Sequence, residues 1–191
     1  MHITKMLALA LVVALMAGCV PSLRPLYTKD DPIFDPALVG TWVDGDGDQW
    51  IFSKSDDNSY ELVEKPKEGA RAHFKAHLVQ FGSLRFLDLS AEKLDVQEEL
   101  VKNGMFWLHA VPAHTIWKIQ LAGDTFHLSA LDLDWLGERL KKKKVTIAHQ
   151  VLGDKEDQIL LTAPTRQLQA FVVRYAGEAF DRDPAKFQRQ K

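Results

Sequence analysis

The stretch from Arg71 to Phe81 constrains the fold most. Ala72, Phe74, Ala76 and Leu78 alternate with Arg71, His73, Lys75 and His77. A period of two puts one set of side chains on each face of an extended strand, and no helix turns that pattern into a single apolar face. Gly82-Ser83 then offers a tight turn into an apolar return from Leu84 to Leu89, so the two runs read as a hairpin with one face toward a core.

The same pattern continues on both sides. Val39 to Asp44 reads as a strand, Asp44-Gly45-Asp46-Gly47-Asp48 as a turn of residues that tolerate positive φ, and Gln49 to Lys54 as a strand with Trp50 and Phe52 on one face. Asp56-Asp57-Asn58-Ser59 turns into Tyr60 to Glu64, and a Pro-Lys-Glu-Gly loop follows at 66–69. Further on, Met105 to Val111 is extended and Pro112 interrupts it. His114 to Leu121 carries Thr115, Trp117, Ile119 and Leu121 on one face, and Ala122-Gly123-Asp124 turns into Thr125 to Leu131. Val145 to Val151 and Ile159 to Thr162, split by Gly153-Asp154, read as the last two strands. Ser90 to Asn103 breaks the rhythm with Glu, Lys and Asp, and is either a helix or an ordered excursion.

Two segments carry helical signals. Asp134 can cap a short helix near 134–142, whose terminal lysines suit the negative end of the helix dipole. After Pro164, the residues Leu168, Phe171, Val172, Tyr175 and Ala179 fall at i, i+3, i+4, i+7 and i+11, the stripe of an amphipathic helix. The expected fold is mainly β. About nine successive strands form an antiparallel meander that closes into a barrel or half-barrel, because closure removes exposed edges. Residues 38–180 form the single β-rich domain, and the polar segment 181–191 is expected to be a frayed tail.

The N-terminus follows a different rule. Lys5 precedes an uncharged run from Met6 to Ala17. As a helix it would span about 18 Å against about 30 Å of hydrocarbon, too short to cross comfortably but suited to a signal-peptide core. Leu15-Met16-Ala17-Gly18-Cys19 then resembles the lipobox of bacterial lipoproteins, with Met16 where that family most often has Leu. The resemblance implies that residues 1–18 are a signal peptide cut before Cys19 and that the Cys19 thiol carries lipid. Val20, not being Asp, resembles the outer-membrane sorting class of enteric-type lipoproteins. The expected location is therefore the outer membrane, lipid-anchored and facing the periplasm. An ordinary secretory signal with Cys19 as a chance thiol stays open. Pro21, Pro25, Pro32 and Pro36 in the following segment forbid a regular helix, so 19–37 reads as a lipidated cysteine and a coil tether spanning about 20–25 Å.

Composition narrows the functions. Cys19 is the only cysteine, which excludes disulfides within the domain, cysteine zinc sites and, if acylated, a thiol nucleophile. Of the 24 Lys and Arg and 26 Asp and Glu, only Lys5 lies in the leader, leaving a net charge of −3 and no argument for nucleic acid. The 173 residues after the leader can bury a sizeable core.

Gly40-Thr41-Trp42, on the first strand after a proline-containing entry, resembles the Gly-x-Trp motif of lipocalins. The chain length and late helix also suit a lipocalin-like barrel. The family's Thr-Asp-Tyr motif is absent and its later Arg motif has no evident match. Pro25-Leu26-Tyr27, Pro112-Ala113-His114-Thr115 and Leu131-Asp132-Leu133-Asp134-Trp135-Leu136 are similar to segments of bacterial lipoproteins with no assigned activity.

The candidate chemistry is thin. His73 and His77 are four residues apart on a strand, about 13 Å, too far to share an ion bound at about 2.1 Å, and read as a solvated face. His109 and His114 flank Pro112, and could support a metal or acid–base role or ordinary packing. Asp44, Asp46 and Asp48 imitate the start of a calcium loop, but Gln49 and Ser55 stand where Gly and Glu are needed, so a hairpin turn is the reading. Gly45-x-Gly47 leads into no helix, and no Gly-x-Ser-x-Gly elbow exists. Arg139 with Lys141 to Lys144 is a solvated helix end or a contact for anionic headgroups. No catalytic, metal or cofactor site is expected. Trp42, Trp50, Trp107 and Trp117 are core residues by default, and line an apolar pocket if the barrel is hollow. The expected function is a non-enzymatic envelope lipoprotein, held on the membrane by its lipid and binding an apolar small molecule or envelope lipid. The alternative is an interaction lipoprotein that docks on envelope proteins without a cavity.

Overall fold

The computed structural model describes residues 19–55, 58–94, 113–153, 158–180 and 183–191. The leader 1–18, the Met105–Val111 strand with Trp107 and His109, and most of the Ser90–Asn103 excursion lie outside the described residues.

The meander is present. Strands β3 (Gly40–Val43), β4 (Gln49–Lys54), β5 (Ser59–Lys65), β6 (Ala72–Phe81), β7 (Leu84–Leu94), β8 (His114–Ala122) and β9 (Thr125–Ala130) pair antiparallel, each with the next. Strand β12 (Ala185–Arg189) pairs with β9 on one side and β3 on the other. This closes an eight-stranded antiparallel barrel, lipocalin-like in form. The expectation of a frayed tail at 181–191 is thereby corrected. Its composition is polar because only Phe187 is needed inside at that level. The backbone hydrogen bonds to two barrel strands, which composition does not display, hold the rest.

The proline-rich 19–37 segment is corrected as well. It is a strap packed on the barrel wall, not a coil tether. Val20, Ser22 and Leu26 are fully buried. Strand β1 (Pro21–Ser22) pairs with β8, and β2 (Pro32–Ile33) pairs with β6 at Leu78 and Val79, where β5 has ended. Prolines lack the N–H that a long ladder needs, so they suit pairings only two residues long. The apolar residues between them supply the attachment, about 1.5–3 kcal/mol for a fully buried Leu26. A turn of 3₁₀ helix at Pro36–Leu38, capped by the Asp35 carboxylate on the Ala37 N–H, then leads into β3.

Two cores result. One fills the barrel, with Trp42, Phe52, Tyr60, Leu62, Leu87 and Phe126 fully buried. The other lies outside it, where Val79, Phe86 and Ile116 meet the strap and the helices. Helix α1 (Leu133–Lys141) lies where a helix is expected near 134–142, but its cap is Asp132, which accepts the Trp135 N–H, and the expected cap Asp134 sits inside the first turn. Helix α2 (Thr165–Arg174) buries Leu168, Phe171 and Val172, and stops at Arg174, so Ala179 of the expected stripe is buried from the following turns. Strands β10 (His149–Leu152) and β11 (Gln158–Leu161) extend the sheet from β1.

Candidate functional site

One end of the barrel is sealed. Trp42 has no exposed surface, and its indole N–H donates to the Leu38 carbonyl at 2.8 Å. The Arg189 guanidinium sits 4.1 Å from the centre of that ring. Its Nη1 donates to the Val39 carbonyl at 2.8 Å, its Nη2 donates to the Ala37 carbonyl, and Nε lies 3.4 Å from the Asp124 carboxylate. Gly40 has φ +136°, and a Cβ there would lie 2.5 Å from Arg189 Nη1. The spacing of Gly40 and Trp42 thus has a local cause: no side chain at one position, a ring under a cation at the other. Arg189 supplies a late arginine on the Gly-x-Trp tryptophan, which the chain's sequence did not reveal because it lies in the polar C-terminal segment.

Beyond Trp42 the interior is less covered among the described residues. Trp50, Glu64, Phe74, Thr115 and Trp117 share the inward face, and all keep partial exposure. The Trp50 and Trp117 rings meet at 6.2 Å and 84°, bringing two of the sequence-singled tryptophans together from opposite strands. Trp50 also packs 5.2 Å from Phe187, while the Trp117 indole N–H donates to the Thr115 hydroxyl at 3.0 Å. Trp42, the third, is structural plug. Glu64 lies directly across from Trp50 on one side and Ala72 on the other. Burial pushes its carboxyl above the ordinary range, and the nearby Asp48 and Asp44 carboxylates push the same way. Its place on the apolar face was legible: Tyr60, Leu62 and Glu64 alternate inward on β5. The Asp44 turn is a hairpin turn, as expected. One carboxylate oxygen of Asp44 accepts the backbone N–H groups of Asp46, Gly47 and Asp48, each at 2.9 Å.

Between the ends, on the outer wall, the sequence missed a polar cluster. Asp88 is fully buried, with one oxygen 2.6 Å from His114 Nδ1 and the other accepting the Leu26 N–H at 2.7 Å. His77, across the pair from Asp88, is buried beneath Tyr27, whose ring stacks on it at 4.0 Å. The expected solvated face is corrected here, because the strap covers it. Burial pulls the His77 pKa down, Lys75 and His114 act in the same sense, and Asp88 opposes them. Burial and Asp88 together raise the Tyr27 phenol. An isolated Asp in the Leu84–Leu89 apolar run was the available signal. Both Asp88 oxygens are engaged, so the cluster clasps the strap to the wall.

Cys19 is half-buried in an isolated bridge with Asp132, at the start of α1. Burial raises its thiol pKa, which disfavours the thiolate. In the basic run, Arg139 pairs with Glu178 and Lys142 with Glu138, while Lys141, Lys143 and Lys144 are exposed. Two open recesses flank α2. One, of about 440 Å³, is bordered by Thr28, Asp31, Phe81, Arg166 and Gln169, and the other, of about 380 Å³, by Lys144, Ile147, Phe171, Arg174 and Tyr175. Among the described residues no group of three His, Cys, Asp or Glu could hold a metal ion, and no helix is long and apolar enough to cross a membrane. No family model matches the chain, and neither a curated protein nor a solved structure matches it.

Proposed function

We propose that this chain is a lipid-anchored, non-enzymatic lipoprotein of the bacterial envelope, on the periplasmic face of the outer membrane, and that the less covered end of its barrel takes an apolar small molecule or envelope lipid. The observation that carries the binding reading is the contrast between neighbouring tryptophans on one inward face. Trp50 and Trp117 face inward with partial exposure, whereas Trp42 is sealed. Eight-stranded barrels are wide enough to be filled by side chains or to hold one small ligand. Here a sealed Trp42 beside part-exposed Trp50 and Trp117 favours a ligand seated shallowly on indole rings.

The address rests on the lipobox resemblance. Because the strap is packed, an acyl chain on Cys19 would hold the domain against the bilayer beside Asp132 and α1, without the coil spacer. A second reading, docking on an envelope protein, is favoured by Val151 and Leu152, 47% and 40% exposed on β10, whose far side has no strand partner among the described residues.

Two experiments test these statements. A Cys19→Ser chain should leave the membrane fraction; its continued association with membranes contradicts the lipid anchor. Titration of that chain with decanol should shift tryptophan emission in the wild-type barrel and not in Trp50→Ala. An unchanged spectrum through saturation contradicts the apolar site.

A further inference from the structure

An apolar mouth with a carboxylate inside it discriminates among ligands by charge. We infer that the less covered end of the barrel selects an amphiphile with a cationic head, an alkylammonium-type group on an apolar body. This rests on the apolar-ligand reading above and names the ligand class for the same site.

Three features converge there. Glu64 projects from the apolar face of β5, following the buried Tyr60 and Leu62, and is itself partly buried near the strand's end. Among the described residues it has no ion-pair or hydrogen-bond partner, while the neighbouring Lys65 belongs to the opposite face of the strand. A partly desolvated carboxylate without a partner is unfavourable in the free protein, and a bound cation would relieve it.

Trp50 stands opposite Glu64 across the strand pair, a position that places Cβ atoms about 5 Å apart, and meets the Trp117 ring nearly at a right angle. Two perpendicular indoles present both an edge and a face, and the faces attract ammonium groups. The third feature is the nearest turn. Asp44 and Asp48 both act on Glu64 in the sense of added negative charge, with the Lys67 side chain beside Gly47 of the same turn. Asp44 is held by three backbone N–H groups and Asp48 by the Lys67 N–H, so these are fixed charges. A carboxylate-headed lipid would bring like charge against this set, whereas a neutral one would leave Glu64 unpaired.

The test is a head-group series on one chain length: decyltrimethylammonium, decanol and decanoate, each below its micelle concentration, titrated into the Cys19→Ser chain and followed by tryptophan emission. The ammonium should bind about tenfold tighter than decanol, and decanoate at least about tenfold weaker. In Glu64→Gln the ammonium and decanol affinities should converge, with decanol itself little changed. Equal affinities, an anion preference, or an ammonium preference that survives Glu64→Gln would overturn the charge selection while leaving the apolar site intact. Failure of all three probes to bind would overturn the apolar reading and the selection together.

Discussion

Trp42 and Trp50 stand in register on neighbouring strands and face the same interior, yet their surroundings differ. Trp42 has a cation over its ring, a carbonyl on its indole N–H, and Phe126 against its edge at 4.9 Å. Trp50 has Glu64 on its far side and a second indole that is itself part-exposed. The barrel is sealed where β12 and the 3₁₀ turn bring the Arg189 guanidinium and the Leu38 carbonyl to one ring. Trp50, to which no such cation or carbonyl comes among the described residues, stays partly exposed. A tryptophan's role is therefore set by what the closing strand delivers to it.

The contrast breaks most sharply through the two rings themselves. Trp42→Ala should cost about 3–5 kcal/mol in denaturant unfolding, as for other large buried aromatics, and Trp50→Ala markedly less. Equal losses would mean that both rings are simply core. Asp88→Ala, on the wall between them, should also cost about 3–5 kcal/mol, because it leaves the Leu26 N–H and His114 without their shared acceptor. Hydrogen exchange at the Leu26 amide should accelerate, while decanol still shifts Trp50 emission. Loss of that shift would tie the mouth to the strap.

Arg189→Ala should cost about 2–3 kcal/mol, combining a cation–π contact with two hydrogen bonds to carbonyls. Arg189→Lys should recover only part of this, since an ammonium cannot hold the same fork. A neutral result from Arg189→Ala would show that the seal does not depend on the cation.

Smaller effects follow from pH. His77 has its folded pKa below the ordinary 6.5. The unfolded chain therefore binds the proton first, and the contribution of His77 is present above pH 6.5 and lost as pH falls below it. Stability curves in that window should flatten in His77→Phe. Glu64 has its folded pKa above the ordinary 4.5, so its ionised form is a burden that grows as pH rises through the folded value. Glu64→Gln should raise Tm slightly at pH 7, and the gain should vanish below about pH 4.5. A Tm lowered at pH 7 would contradict an unpartnered carboxylate.

Most of the barrel was legible because its strands alternate. Ala72 to Leu78, Thr115 to Leu121 and Phe126 to Leu128 each carry the period-2 signal, and Gly or Asp turns separate them. What failed to show was pairing without pattern. Ala185 to Arg189 has one buried aromatic and looks like solvent, yet two neighbouring strands hold it. The strap has four prolines and looks like coil, yet Leu26 and the Asp88 clasp fix it. Glu64 lay in plain alternation with Tyr60 and Leu62, so its inward aim could have been read. The Asp88–His114 pair could not, because it joins residues 26 apart on different strands.

Ligand binding beside Trp50 and Trp117 has its most direct test in the protein taken from the cell. Native mass spectrometry of the protein purified from cells measures this directly, with any covalent mass on Cys19 subtracted. A discrete non-covalent adduct that disappears in Trp50→Ala is the expected result. A bare chain in every preparation would contradict ligand binding at the barrel mouth.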